Sequence, residues 1–129
     1  MALRSLIVDD NSHFLQAARD LLEREGIDVV AVCSTSAEAV KLAAKLRPDV
    51  ALVDIDLGAE SGFTLARQLA GGPGPETSRV ILISTYAERD FAELIVQSPA
   101  VGFLSKSDLS ASAIQELLDR TNHGAGEAG

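Results

Sequence analysis

The apolar run Leu6-Ile7-Val8 ends on two adjacent carboxylates, Asp9 and Asp10, followed by Asn11. Like charges side by side repel, and neither gains by facing a core. Asp and Asn also begin turns and cap helices, but a helix starting near Ser12 needs one such residue, not three in a row. The other reading is a seat for a small hard cation, which takes oxygen ligands held on a rigid element. Three further positions bear on the choice. Asp54 follows Val50-Ala51-Leu52-Val53, Ser84 follows Val80-Ile81-Leu82-Ile83, and Lys106 comes just after Phe103-Leu104. Three carboxylates brought together cannot all stay ionised unless a cation compensates them, and an oxygen-only set suits Mg²⁺ rather than zinc. A single lysine supplies a point charge for a phosphoryl oxygen, and a serine hydroxyl a donor for another. Cation, lysine and hydroxyl together would stabilise the charge on a phosphoryl group in transfer, with one carboxylate left as nucleophile. Asp54, at the end of a run apolar on both faces, is the natural acceptor.

Those residues can meet only if the elements carrying them line up. Ser5–Val8, Asp28–Cys33, Asp49–Val53, Arg79–Ser84 and Val101–Leu104 read as strands, short and rich in β-branched residues. Between them lie helical patterns. Asn11 or Ser12 caps a helix with Phe14, Leu15, Ala18, Leu21 and Leu22 on one face, closed by Gly26. Thr35-Ser36-Ala37-Glu38 is a capping box opening a helix through Leu46, which Arg47-Pro48 stops. Helices are also expected over Gly62–Leu69 and Glu88–Gln97, and in a last stretch carrying Leu109, Ala113, Ile114, Leu117 and Leu118. Gly71–Pro75 reads as a loop inside a domain. Five strands alternating with five helices predict an α/β fold, (βα)5, with a doubly wound five-stranded parallel sheet. Ligands of such sheets bind outside the carboxyl ends of the strands, where Asp9, Asp10, Asp54, Ser84 and Lys106 would all stand.

Composition narrows the function classes. A chain of 129 residues, 47% hydrophobic and 23% charged, is the size of one domain with a real core. A net charge of −8 without a basic cluster argues against a grip on nucleic acid by this segment. One cysteine, Cys33, excludes a disulfide framework and a zinc knuckle, and is expected in the core. No apolar run approaches the roughly 20 residues of a membrane span, and no secretory leader precedes the first strand, so a cytoplasmic location is expected. Residues 1–122 form the expected domain; the Gly- and Ala-rich 123–129 would be a flexible tail that could open a linker to an output domain. His13 is expected on a wet helix face.

The ordered set resembles the receiver (CheY-like, flavodoxin-like) domain of two-component response regulators over residues 3–122. It has the acidic pair after strand one, the acceptor Asp after strand three, Ser after strand four and Lys after strand five, with Gly62 in the loop beyond the acceptor. That resemblance implies that Asp9, Asp10 and Asp54 bind Mg²⁺ together with the backbone carbonyl of Asp56. It implies that Asp54 takes phosphate from the phosphohistidine of a sensor histidine kinase, and that Ser84 and Lys106 contact the phosphoryl oxygens. Phe103 falls at the switch aromatic, expected to enter from the surface as Ser84 is drawn inward. The shift would re-shape the face of helix four, strand five and helix five, which could also pair two copies. Asp56 and Tyr86 occupy positions thought to tune phosphate lifetime. The domain would assist its own phosphorylation and dephosphorylation without being a turnover enzyme. The motif wording resembles receivers of LuxR/NarL-type transcription regulators, where DNA is bound only by a separate output domain. Two departures stand out: Gly58 where the family often has proline, and Ser107 after the lysine where proline is usual. A stand-alone or phosphorylation-independent receiver is one alternative. The Asp54-Ile55-Asp56 run also resembles the Asp-x-Asp motif of haloacid-dehalogenase-like phosphohydrolases.

Overall fold

The computed structural model describes residues 2–70 and 79–128, without the side chains of 121–128; the expected loop Gly71–Pro75 lies outside the described residues. Five strands form one parallel sheet: β1 (Arg4–Val8), β2 (Asp28–Cys33), β3 (Val50–Asp54), β4 (Arg79–Ser84) and β5 (Gly102–Ser105), in the spatial order β2-β1-β3-β4-β5. Five helices accompany them: α1 (Ser12–Arg24), α2 (Ser36–Leu46), α3 (Gly62–Ala70), α4 (Ala92–Gln97) and α5 (Ala111–Ala128). α5 takes in most of the segment read as a tail.

The alternation of side chains along each strand divides the core in two, as a sheet covered on both faces requires. Leu6, Val8, Ala51, Val53, Val80 and Leu82 face Ala39 and Ala43 of α2 and Leu65, Ala66 and Leu69 of α3. Ile7, Val50, Leu52, Ile81 and Ile83 face Leu15, Ala18 and Leu22 of α1 and Ile114 and Leu118 of α5. Each strand residue between Val50 and Val53 is fully buried, which is why that stretch has no polar position until Asp54. The crossovers change direction between β1 and β3, so these neighbours frame the crevice at the carboxyl edge.

Two local features differ from the expectation. The helix expected over Glu88–Gln97 is broken into a 3₁₀ turn, Glu88–Asp90, and the short α4. Phe91 stands between them with φ −130° and ψ 15°, outside helical geometry and with no side-chain cap. Its ring fills the space between Phe63 and Tyr86, at centroid distances of 6.4 and 6.1 Å. An antiparallel hairpin of Asp56–Leu57 and Glu60–Ser61 also follows β3, turning at Gly58-Ala59. Gly58 has φ +73°, so a glycine holds the turn position that favours one. The hairpin reaches across to α2, where Glu60 Oε1 accepts the Ser36 N–H at 3.0 Å.

Candidate functional site

Two neighbouring strand ends, of β1 and β3, deliver the acidic edge. Asp9 follows β1 directly, and its backbone N–H donates to the Cys33 carbonyl at 3.1 Å, which continues the β1–β2 ladder past the last strand residue. The side chain is completely buried. Oδ1 accepts the Asn11 N–H at 2.9 Å, which closes a turn and delivers the chain into α1. Asn11 is itself the cap, accepting the N–H groups of His13 and Phe14. Capping and cation binding therefore divide between residues of the acidic run: Asn11 caps, while Asp9 joins the acidic cluster. Asp54 closes β3, nearly buried, and its Oδ1 accepts the Asp56 N–H at 3.0 Å. Asp10 is exposed at the rim. One carboxylate oxygen from each of Asp9, Asp10 and Asp54 lies within 4.8 Å of the others.

Lys106 enters from the first position of a 3₁₀ turn, Lys106–Asp108, after β5. Its Nζ is 2.6 Å from Asp9 Oδ2 and donates to Asp54 Oδ2 at 3.2 Å. Burial pulls the Lys106 pKa down more than any other single influence, but the carboxylates of Asp9 and Asp54 together outweigh it, so the ammonium is held above its usual range. For Asp54 burial wins: it pushes the carboxyl up to about 6, aided by the charge of Asp9 and opposed by the Asp56 N–H and Lys106. Asp9 Oδ2 is buried, with the Lys106 ammonium 2.6 Å away. A buried carboxylate oxygen with two more carboxylates in reach makes an oxygen-only set that fits a divalent cation.

Ser84 closes β4, one strand over from Asp54, and is buried; its Oγ accepts the Tyr86 N–H at 3.0 Å. The side chain of Asp56 is exposed and turned into its own loop, where Oδ1 accepts the Gly58 N–H at 3.2 Å. Tyr86 is 57% exposed and rests on Phe91. Gly58 is a close neighbour of the site as well, since a β-carbon there would stand 3.3 Å from Asp10 Oδ2. Phe103, the expected switch aromatic, is buried on the α2–α3 side of the core, beside Leu82, its partner on β4. No described peptide bond is cis, so Lys106-Ser107 is trans.

Sheet order, crevice and the five polar positions thus converge on one edge. The response regulator receiver domain model matches residues 5–119, nearly the whole chain. The chain belongs to the receiver family of response regulators. Similar solved receivers include that of a modulated diguanylate cyclase from Desulfovibrio desulfuricans (30% identity, TM-score 0.79, all of both chains covered). Another is the signal receiver domain of the putative response regulator NarL from Mycobacterium tuberculosis (27% identity, TM-score 0.78, 94% of this chain and 97% of that one). Among curated relatives, a protein-glutamate methylesterase/protein-glutamine glutaminase of Archaeoglobus fulgidus is 30% identical over 95% of this receiver, which spans 36% of that protein. A putative transcriptional regulator of Pseudomonas aeruginosa is 32% identical over 80% of the receiver, which spans 49% of it. The receiver therefore covers about a third to a half of these two relatives.

One contact at the receiver's acidic edge was not legible as part of the site. The Phe14 ring, read as an ordinary core-facing helix position, lies under the Lys106 ammonium, 4.5 Å from Nζ to the ring centroid. The only hint in the sequence is an aromatic in the first turn after the acidic pair. Among the described residues no helix is long and apolar enough to cross a membrane.

Proposed function

We propose that this receiver accepts a phosphoryl group on Asp54 from the phosphohistidine of a sensor kinase, and so switches an output carried by a longer protein. The observation that carries this reading is the joint hold of Lys106 on Asp9 and Asp54, at 2.6 and 3.2 Å, inside a cluster of three carboxylates. An Asp54 oxygen would form the new bond to phosphorus as the donor's P–N bond breaks, the imidazole leaving with the electron pair. Lys106 stands where it can follow that charge without a large movement. Asp9, Asp10, Asp54 and the Asp56 carbonyl would hold Mg²⁺, which supplies neutralising charge for the phosphoryl oxygens. Ser84, freed from the Tyr86 N–H, would donate its hydroxyl to one of them.

The same motion would pass to the α4–β5–α5 face. Leu94 and Val96 project from α4, Val96 being 83% exposed, beside a groove lined by Ile95, Phe103 and Leu117. That face suits pairing with a second copy. Phe103 is already inward, so the switch would bias an existing equilibrium rather than create an arrangement. Transcription is the output favoured here, through a separate DNA-binding domain, in line with regulators among the relatives. Reductive trapping of the acyl phosphate with borohydride, followed by peptide mapping, tests the acceptor: the label should map to Asp54, and a label on Asp9, Asp10 or Asp56 would overturn the assignment.

A further inference from the structure

We propose that Phe14 is a positioning residue for Lys106, holding its ammonium at the acidic edge for phosphoryl transfer; this rests on the reading of Asp54 as phosphoacceptor. Four contacts close a circuit. Asp9 Oδ1 accepts the Asn11 N–H at 2.9 Å, and Asn11 Oδ1 accepts the Phe14 N–H at 3.1 Å. The Phe14 ring faces the Lys106 Nζ at 4.5 Å, and that nitrogen returns to Asp9 Oδ2 at 2.6 Å. One buried carboxylate thus fixes both the ring, through the helix cap, and the ammonium that sits on it.

The chemistry explains why a ring serves here. A lysine ammonium is compact, strongly hydrated and carried on a flexible stem, so two carboxylates alone do not define where it sits. An aromatic face attracts the cation through its quadrupole and displaces water from that side. It brings no formal charge, so it does not compete with Asp9, Asp54 or a phosphoryl group for the lysine. A carboxylate at position 14 would divert the ammonium, and an aliphatic chain would leave that side to water. Since Asp54 Oδ2 is within 3.2 Å of Nζ, a phosphoryl group on Asp54 needs the lysine close to where the ring holds it. The ring contact therefore persists as charge moves onto the new group, and its loss falls on the maximal rate rather than on donor binding.

A purely packing role is the rival. Phe14 is half-buried against the α1–α5 side of the core, and a packing residue would be replaced by leucine with little effect. The 129-residue chain is compared as wild type, Phe14→Leu and Phe14→Tyr. In the unphosphorylated protein, the Lys106 Cε protons should show an upfield ring-current shift in wild type and Phe14→Tyr, and lose it in Phe14→Leu. With Mg²⁺ and acetyl phosphate, Phe14→Leu should lower the maximal labelling rate about three- to tenfold, the loss of roughly one cation–π contact. The half-saturating acetyl phosphate concentration should stay constant, and Phe14→Tyr should restore the rate. Where leucine loosens α1, Phe14→Met repeats the test with an unbranched, adaptable chain of leucine's size. A Phe14→Leu protein that loses the ring-current shift yet labels at the wild-type rate overturns the positioning role, as does a wild type without that shift. A wild type that shows the shift but takes no phosphoryl group removes the acceptor reading and the transfer role together, leaving the contact itself established.

Discussion

Gly62, the first residue of α3, lies so close to the Asp54 carbonyl that a β-carbon would collide with its oxygen and stand 2.7 Å from the Ile55 α-carbon. The Gly62 N–H also donates to the Ile55 carbonyl at 3.0 Å. The residue that returns the chain into α3 is thus packed on the backbone that carries the acceptor. Gly62→Ala should destabilise the fold by about 2 kcal/mol or more, since backbone cannot give way as a side chain can. The melting temperature should fall by about 10 °C. Gly26→Ala is the control: its site is open, and only φ +94° opposes the change, so a loss of about 1 kcal/mol is expected. Equal effects in calorimetry would show that the contact with Asp54 is unimportant.

Stability of the metal-free protein should depend on Asp54 through pH. Its pKa rises from 3.8 in the open chain to about 6 in the fold. The folded state then holds the proton more tightly, so the contribution is fully present below about 4 and lost as pH rises through about 6. Asp54→Asn removes the penalty of the buried charge. In chelator, it should be the more stable protein above pH ~6, by roughly 1–2 kcal/mol after allowance for solvent screening, and the gap should close toward pH ~4. Denaturant curves at several pH values measure this. A gap that widens as pH falls would reverse the sign.

Mg²⁺ should stabilise the same site from the other direction. At a concentration about tenfold above its dissociation constant, it should add about 1.4 kcal/mol, seen as a higher melting temperature. Asp10→Ala should weaken that response, because the exposed carboxylate is one of the three in reach. Identical Mg²⁺ responses in the two proteins would remove Asp10 from the ligand set.

Tyr86 offers a test of phosphate lifetime. Its ring leans on Phe91 at the mouth of the loop after β4, and an aromatic there should obstruct an attacking water. Tyr86→Ala should shorten the half-life of phosphorylated Asp54 by about threefold, the loss of one exposed aromatic contact. Asp56→Asn separates the electrostatic part, since its carboxylate is turned toward Gly58. A longer-lived phosphate in Tyr86→Ala would show that the ring does not block the path.

Cys33 should be silent in these experiments. Burial pushes its thiol up to about 11, with the charge of Glu38 acting in the same sense. Disulfide reagents at neutral pH should modify it only as fast as the protein opens. Prompt modification of the folded protein would contradict its place in the core.

Much of this was legible because parallel strands covered on both faces must be apolar until they end. Asp54 and Ser84 announce the ends of β3 and β4 by breaking such runs, and the sheet topology then places them on one edge. The cap of α1 and the capping box of α2 were readable because both are local: Thr35 accepts the Glu38 N–H, as its spacing predicts. What escaped was non-local. The Asp56–Ser61 hairpin has two residues per arm, too few to show a period. The break at Phe91 answers to rings supplied by Phe63 and by the loop after β4. Phe103 fits the core or the surface by composition alone, and its neighbours decide. The contact of Phe14 with Lys106 joins the first helix to the end of the last strand, and no local pattern encodes it.

The most direct test of the central claim is intact mass after incubation with acetyl phosphate and Mg²⁺, for the wild type and for Asp54→Asn. The joint hold of Lys106 on Asp9 and Asp54 predicts one phosphate on the wild type, lost when Mg²⁺ is chelated, and none on Asp54→Asn. An Asp54→Asn protein labelled to the wild-type level, or a wild type that takes no phosphate, would contradict it.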